Sequence, residues 1–102
     1  MINPALHLPR DEIAAFCRRH RIKTLSLFGS ATRDDLRPDS DVDVLVEFED
    51  DAKVSLFNMA QMEREISSLF HDRPVDIMTT SVLRNPYRRR AILKDLERIY
   101  VA

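Results

Sequence analysis

Two aspartates near the middle of the chain have a spacing that suits metal chemistry. Asp41 and Asp43 flank a valine at the start of an apolar run. On a β-strand, residues two apart point to the same face, so their Cβ atoms would lie roughly 7 Å apart and their carboxylates would face one volume. With Asp76 from a later apolar segment, the set could ligate two Mg²⁺ ions. Such ions align the oxygens of a phosphoryl displacement, and Asp76 could take the proton of an attacking hydroxyl.

Gly29, the only glycine in the sequence, ends an apolar run and is followed by Ser30. A residue without a Cβ lets the backbone turn sharply or approach a ligand closely. Backbone N–H groups at the start of a short helix, together with a hydroxyl, can hold a polyphosphate. Arg33, one helical turn on, would add a charge-assisted contact, unless it forms a surface ion pair with Asp34 or Asp39. The carboxylates and this corner would then hold the same triphosphate.

Hydrophobic periodicity predicts the elements that must position these residues. The segment Lys23–Phe28 alternates like a strand that stops at Gly29, and Val42–Phe48 predicts a second strand that carries Asp43. The remaining segments predict a helix at about 9–20, a short turn capped by Ser30 and running to about Leu36, a helix at about 55–70, a strand at about 74–78, a helix at about 86–95 and an edge strand at 98–101. This order predicts an α/β chain, more specifically of α+β type.

Side-chain spacing indicates which faces are buried. Along the second strand one face carries Val42, Val44, Val46 and Phe48, and the other carries Asp41, Asp43, Leu45 and Glu47. On the second long helix the predicted core stripe consists of Leu56, Met59, Met62, Ile66, Leu69 and Phe70. Phe57 falls off this stripe, where it would cover the helix start or contact another protein. On the first helix, Cys17 is predicted in the core and His20 as a packed or edge histidine.

Composition limits the class of protein. With 102 residues, of which 44% are hydrophobic, the chain has enough apolar side chains for one core, so we expect residues 1–102 to form a single domain. A lone cysteine and an N-terminus without an apolar signal segment favour a reducing cytoplasm. Because no stretch approaches the roughly 20 apolar residues of a membrane helix, we expect a soluble protein without a membrane partner.

The overall charge gives no argument for a nucleic-acid partner. Sixteen basic residues nearly cancel seventeen acidic ones, so any such partner would need a local patch. The run Arg88–Arg90 is the one candidate, but only Tyr87 offers a ring for base stacking beside it. We therefore expect this run to be solvated or to contact a protein rather than RNA.

The motifs together resemble a known superfamily. Gly29-Ser30, Arg33, the segment Ser40-Asp41-Val42-Asp43 and Asp76 resemble the signature of the DNA polymerase β-like nucleotidyltransferases. From the Leu-Phe-Gly-Ser strand exit to the final tyrosine, the whole chain is similar to the minimal nucleotidyltransferases of bacteria and archaea, often called MntA-type antitoxins. The resemblance implies the polymerase β-like fold, with a small mixed sheet of about four strands flanked by helices.

The resemblance also implies a role for each matching residue. Asp41 and Asp43 would ligate Mg²⁺, and Asp76 would be the third catalytic and metal-binding carboxylate. The nucleotide triphosphate would be bound by Gly29, Ser30, Arg33 and Ser40. Where many relatives follow the motif arginine with a glycine, this chain has Asp34 and Asp35, which makes the loop stiffer and more acidic.

By the same resemblance, the chain would transfer AMP from ATP to a tyrosine of a HEPN-domain ribonuclease toxin, and thereby silence it within a hetero-oligomer. The short chain agrees with this, since we expect no second domain that could hold an acceptor. One alternative is a non-catalytic antitoxin that neutralises the toxin by binding alone. Another is transfer to a small molecule such as an aminoglycoside, which would need no partner protein.

Overall fold

A computed structural model describes residues 2–102. The helices are α1 (Arg10–Arg19), α2 (Leu56–Leu69) and α3 (Pro86–Asp95), and the strands are β1 (Ile22–Phe28), β2 (Val42–Phe48), β3 (Val75–Thr79) and β4 (Glu97–Val101). Short 3-10 turns cover Pro4–Leu6, Gly29–Thr32 and Thr80–Arg84. Within residues 2–102, no helix has the length and apolarity needed to cross a membrane.

The four strands form one sheet in the order β3-β2-β1-β4. β1 pairs antiparallel with both β2 and β4, whereas β2 and β3 run parallel. This arrangement confirms the predicted α+β fold with a small mixed sheet, and β4 lies at an edge as predicted. The parallel pair needs a crossover, which α2 supplies.

The sheet is covered on both faces. On one face Val42, Val44 and Val46 pack with apolar side chains of α1 and α2, among them Phe16 and Ile66. The opposite face carries a smaller cluster, formed by Phe28, Leu45 and Ile92 with Met78, Val82, Leu83 and Leu96 around it. The face of β2 that was predicted to carry the acids is therefore apolar at Leu45, where α3 covers it.

Helix α2 keeps its predicted stripe except at its first residue. Met62, Ile66 and Phe70 are buried, but Leu56 is 90% exposed, so its placement in the core was wrong. A capping box at Ser55 begins the helix immediately before Leu56. Because helical side chains point back toward the N-terminus, those of the first turn project past the helix end rather than onto the sheet. Phe57 lies off the stripe, as predicted, and is 68% exposed.

Helix α3 carries the arginine run on its solvent side. Arg88, Arg89 and Arg90 are exposed, Tyr87 is 83% exposed, and Ile92 is the buried residue of the helix. Arg88 donates a weak hydrogen bond to the sulfur of Met78 on β3, at 3.7 Å. This contact links the N-terminal part of α3 to β3.

Helix α1 is held against α2 by buried and polar contacts. Cys17 is fully buried, as predicted, and the His20 ring packs on Phe16 with ring centroids 4.6 Å apart. His20 Nε2 lies 2.7 Å from Glu65 Oε2, and Arg19 donates to the same carboxylate. His20 is therefore a packed, hydrogen-bonded histidine at the edge of the core.

Burial makes Cys17 unreactive in the folded protein. Desolvation raises the pKa of its thiol to about 12, against a weak opposing effect of Arg18. Because the thiolate is the nucleophile, we expect Ellman's reagent at about pH 8 to modify almost none of the native protein and one thiol per chain in urea. Rapid modification of the native protein, at the rate found in urea, would contradict the buried position.

Candidate active site

The strand register places two of the predicted acids side by side. Asp43 on β2 pairs with Asp76 on β3 in the parallel ladder, and neighbouring strands lie about 4.8 Å apart. Paired residues of parallel strands point to the same face, so both carboxylates emerge together near the N-terminal ends of their strands. Asp41 lies just before β2 and is exposed, like Asp76, whereas Asp43 is half-buried. The structure thus brings Asp41, Asp43 and Asp76 to one edge of the sheet, the acidic edge.

The half-buried Asp43 is electrostatically destabilised as an anion. Its pKa is raised above the ordinary value, first by desolvation and then by the nearby charges of Asp76 and Asp41. The charge of Arg33 opposes this shift. The edge therefore has an excess of negative charge that a bound cation would relieve.

The three carboxylates share an edge without forming a closed metal cage. Among residues 2–102, no three His, Cys, Asp or Glu side chains already converge to hold an ion. Mg²⁺ rarely occupies an all-protein cage, because it keeps several waters and binds through one or two carboxylates and the phosphates of a substrate. The oxygen-only donor set and its open geometry fit such an ion.

Gly29 lies directly against the Asp43 carboxylate. Phe28, the residue before it, pairs with Asp43 across β1 and β2, and Gly29 then turns with φ +70°. A Cβ at this position would lie 2.5 Å from Asp43 Oδ2. Only glycine allows the backbone both this turn and this approach.

The turn after Gly29 is shorter than the sequence predicted. It spans Gly29–Thr32 and begins after Phe28, so Ser30 lies inside the turn, and the predictions that Ser30 caps it and that it runs to Leu36 were wrong. The Thr32 hydroxyl donates to the Gly29 carbonyl at 2.9 Å and closes the turn. The Ser30 hydroxyl has no hydrogen-bond partner among residues 2–102, so it remains available to a ligand.

Arg33 leaves the turn in an extended conformation and forms two ion pairs. Nε and Nη2 donate to the two carboxylate oxygens of Asp35 at 3.1 and 3.2 Å, and Nη1 donates to Asp95 at 2.9 Å. The expected partners were Asp34 or Asp39. In an extended segment the residue two positions on lies on the same side, which favours Asp35 over Asp34. Asp95 comes from α3 and could not be found from local spacing.

Ser40 shapes the loop that leads to Asp41. Its Oγ accepts a hydrogen bond from the backbone N–H of Arg37 at 2.8 Å. Arg73 donates to the carbonyls of Arg37 and Ser40, at 2.7 and 3.4 Å. Sequence reasoning missed Arg73, although its place two residues before β3 put it beside this loop.

The acidic edge is an open surface. Two cavities of about 200 and 350 Å³ lie near the opposite end of β1, where the first is lined by Arg19, Arg21 and Lys53 and the second by Cys17 and Tyr100. Neither includes Gly29 or the three aspartates. Because Asp41 and Asp76 are exposed, the acidic edge is accessible from the solvent.

Comparison with known proteins identifies the family. Residues 11–99 match the family described as "Nucleotidyltransferase domain". The chain belongs to this nucleotidyltransferase family. The match covers most of the chain and includes β1, β2, β3, the start of β4 and all of the residues predicted to form the site.

Several relatives of this nucleotidyltransferase come from Methanocaldococcus jannaschii. "Putative protein adenylyltransferase MJ1217" is 30% identical over 83 residues, which are 81% of this chain and 80% of the relative. "Putative protein adenylyltransferase MJ0128" is 32% identical over the same share of each chain. The chain thus covers most of the length of these relatives.

Solved structures share the fold of this nucleotidyltransferase. One described as a "putative minimal nucleotidyltransferase" has a TM-score of 0.70 at 30% identity and covers 95% of both chains. A toxin-antitoxin structure with AMP-PNP has a TM-score of 0.71 at 18% identity, covering 93% of this chain and 75% of that one. The MntA-HepT toxin-antitoxin structure has a TM-score of 0.63 at 17% identity, with shares of 94% and 73%.

The predicted site residues of this nucleotidyltransferase fall into two groups. Gly29, Asp41, Asp43 and Asp76 are brought together, and Arg33 acts electrostatically on Asp43. Ser30 lies in the turn after Gly29, and Ser40 lies in the loop that precedes Asp41. The individual roles of these residues stay predictions.

Proposed function

We propose that the chain transfers AMP from ATP to a tyrosine hydroxyl of a HEPN-domain toxin and acts as its antitoxin. The observation that carries the proposal is the register that pairs Asp43 with Asp76, with the Gly29 backbone against the Asp43 carboxylate. Relatives named as protein adenylyltransferases support the choice of AMP and of a protein acceptor. Neighbours described as toxin-antitoxin structures support a toxin as the partner.

The carboxylates suit a pair of Mg²⁺ ions. Asp41, Asp43 and Asp76 would hold them, since hard cations prefer carboxylate oxygens and Asp43 carries an uncompensated charge. When bound, Mg²⁺ would neutralise the charge that develops on the phosphates during transfer.

The remaining residues would bind and orient the nucleotide. The backbone around Gly29 and the free hydroxyl of Ser30 would donate to the phosphate oxygens, and Arg33 has N–H groups left for a further contact. Asp76 would accept the proton of the acceptor hydroxyl. The acceptor oxygen then bonds to the α-phosphorus of ATP. The bond from the α-phosphorus to the oxygen that bridges it to the β-phosphorus breaks, and pyrophosphate leaves.

The open position of the site favours a macromolecular acceptor. Asp41 and Asp76 are exposed, and the acidic edge is not part of the two cavities described above. A protein surface docked on these exposed acids can bring a tyrosine to the edge and exclude water at the same time.

Transfer of label tests the proposal. The purified chain is incubated with Mg²⁺, ATP labelled in the α-phosphate and the purified HEPN-domain toxin. We expect label on the toxin, and a loss of at least about a hundredfold in the transfer rate for Asp41→Asn/Asp43→Asn. Asp50→Asn/Asp51→Asn removes two acids beyond the other end of β2, so it should transfer at the wild-type rate.

The other outcomes identify the alternatives. Full neutralisation of the toxin without any label would refute the transfer and leave an antitoxin that acts by binding. Label found on an added aminoglycoside, in the absence of toxin, would indicate a small-molecule acceptor.

A further inference from the structure

Asp95 joins the last turn of α3 to the loop of the site. Its Oδ2 accepts a hydrogen bond from Arg33 Nη1 at 2.9 Å, across 62 residues of sequence. The side chain of Asp95 is 18% exposed, whereas that of Asp35, the other partner of Arg33, is 62% exposed. The pair with Asp95 is thus the less screened of the two and the one that ties Arg33 to a helix.

The position of Asp95 is fixed by the apolar cluster beneath it. Ile92, on the turn before, is buried, and Leu96, directly after, packs on the same cluster with Phe28 and Leu45. Phe28 precedes Gly29, and Leu45 lies two residues after Asp43. One rigid cluster therefore sets the position of Asp95 relative to both sides of the site.

The two acids hold the Arg33 guanidinium without using all of its donors. Arginine has five N–H groups, and three of them are used by Asp35 and Asp95. One N–H remains on Nη1 and one on Nη2. Asp35 lies in an exposed loop and can move together with Arg33, so only the contact with Asp95 fixes the direction of the remaining donors.

We propose that Asp95 is a positioning residue, which holds Arg33 so that its two remaining N–H groups meet the phosphates bound at Gly29 and Ser30. The inference rests on the proposed function, because it assigns those groups to a nucleotide. It makes the C-terminal helix part of the nucleotide site, although α3 contributes none of the motif residues. Without Asp95, the bidentate pair with Asp35 would draw Arg33 toward the solvent.

A double-mutant cycle on nucleotide affinity tests this role. The dissociation constant of AMP-PNP with Mg²⁺ is measured by calorimetry for the wild type, Asp95→Asn, Arg33→Ala and the double variant. We expect each single variant to bind about fivefold to tenfold more weakly, and the double variant to bind no more weakly than Arg33→Ala. Asp95→Glu keeps the carboxylate and should retain most of the affinity.

Asp51→Asn is the control for a general loss of an Asp–Arg pair, because it breaks the pair with Arg21 near the far end of β1. Its affinity for AMP-PNP should equal that of the wild type.

The positioning role alone would be refuted if Asp95→Asn lowered the affinity for AMP-PNP by the same factor in the wild type and in Arg33→Ala. It would also be refuted if Asp95→Glu bound AMP-PNP as weakly as Asp95→Asn. Tighter binding by Asp95→Asn would also refute it, since Asp95 would then compete with the phosphates. A wild-type chain that binds no AMP-PNP would overturn the proposed function together with this inference.

Discussion

Replacing Gly29 with alanine should slow nucleotidyl transfer by at least about a hundredfold and leave the chain folded. The new Cβ would lie 2.5 Å from Asp43 Oδ2, so the carboxylate or the loop must move. Positive φ adds a backbone cost, and together we expect a loss of about 1–3 kcal/mol in the free energy of unfolding. Because a displacement of about 1 Å at a reacting centre costs about a hundredfold in rate, transfer should fall by at least that factor. Urea unfolding and the rate of label transfer measure the two effects.

Arg21→Ala separates the backbone cost from the contact with Asp43. Arg21 has φ +55° just before β1, so this variant also places alanine in the left-handed region, but at the end of β1 opposite Gly29. We expect it to lose stability and to keep full activity. A Gly29→Ala variant that transfers AMP as fast as Arg21→Ala would show that close packing at Gly29 is not needed.

Asp43→Asn should lower activity and raise stability at the same time. The side chain is a proposed metal ligand, so its loss should slow transfer by at least about a hundredfold. In the free protein, however, burial and the charges of Asp76 and Asp41 raise the pKa of Asp43, so its anion destabilises the fold. Removing the charge should therefore increase the urea concentration at the unfolding midpoint.

The gain in stability should depend on pH in a defined direction. A carboxyl whose pKa is raised on folding destabilises the fold once the unfolded chain has lost its proton, and the full effect is present above the folded pKa. Asp43→Asn should therefore be more stable than the wild type at about pH 7, and this difference should disappear at about pH 3. An advantage that is equal at both pH values would contradict the electrostatic origin.

Alternation in the sequence was sufficient to predict β2 and the shared face of its acids. Val42–Phe48 forms a strand with the predicted bounds because its valines are buried on one face, and α3 begins at Pro86 as its fixed φ suggests. These signals are local. They depend on periodicity and on backbone preferences of single residues, which the sequence displays directly.

Contacts between distant segments could not be predicted in this way. The register that pairs Asp43 with Asp76 depends on how α2 crosses over the sheet, and the pair between Arg33 and Asp95 depends on how α3 packs on Leu45. The shortened turn after Gly29 has a similar origin. Its length is set by the hydroxyl of Thr32 and by the close approach to β2, neither of which Ser30 reveals.

A crystal structure of the chain with AMP-PNP and Mn²⁺ would test the central claim most directly, because Mn²⁺ replaces Mg²⁺ and is located by its anomalous signal. We predict a manganese peak in contact with Asp41 and Asp43, on the side of Asp76, with the phosphates on the backbone of Gly29 and Ser30. A nucleotide and metal bound elsewhere, for example in the cavity beside Lys53, would contradict the assignment of the acidic edge as the site of transfer.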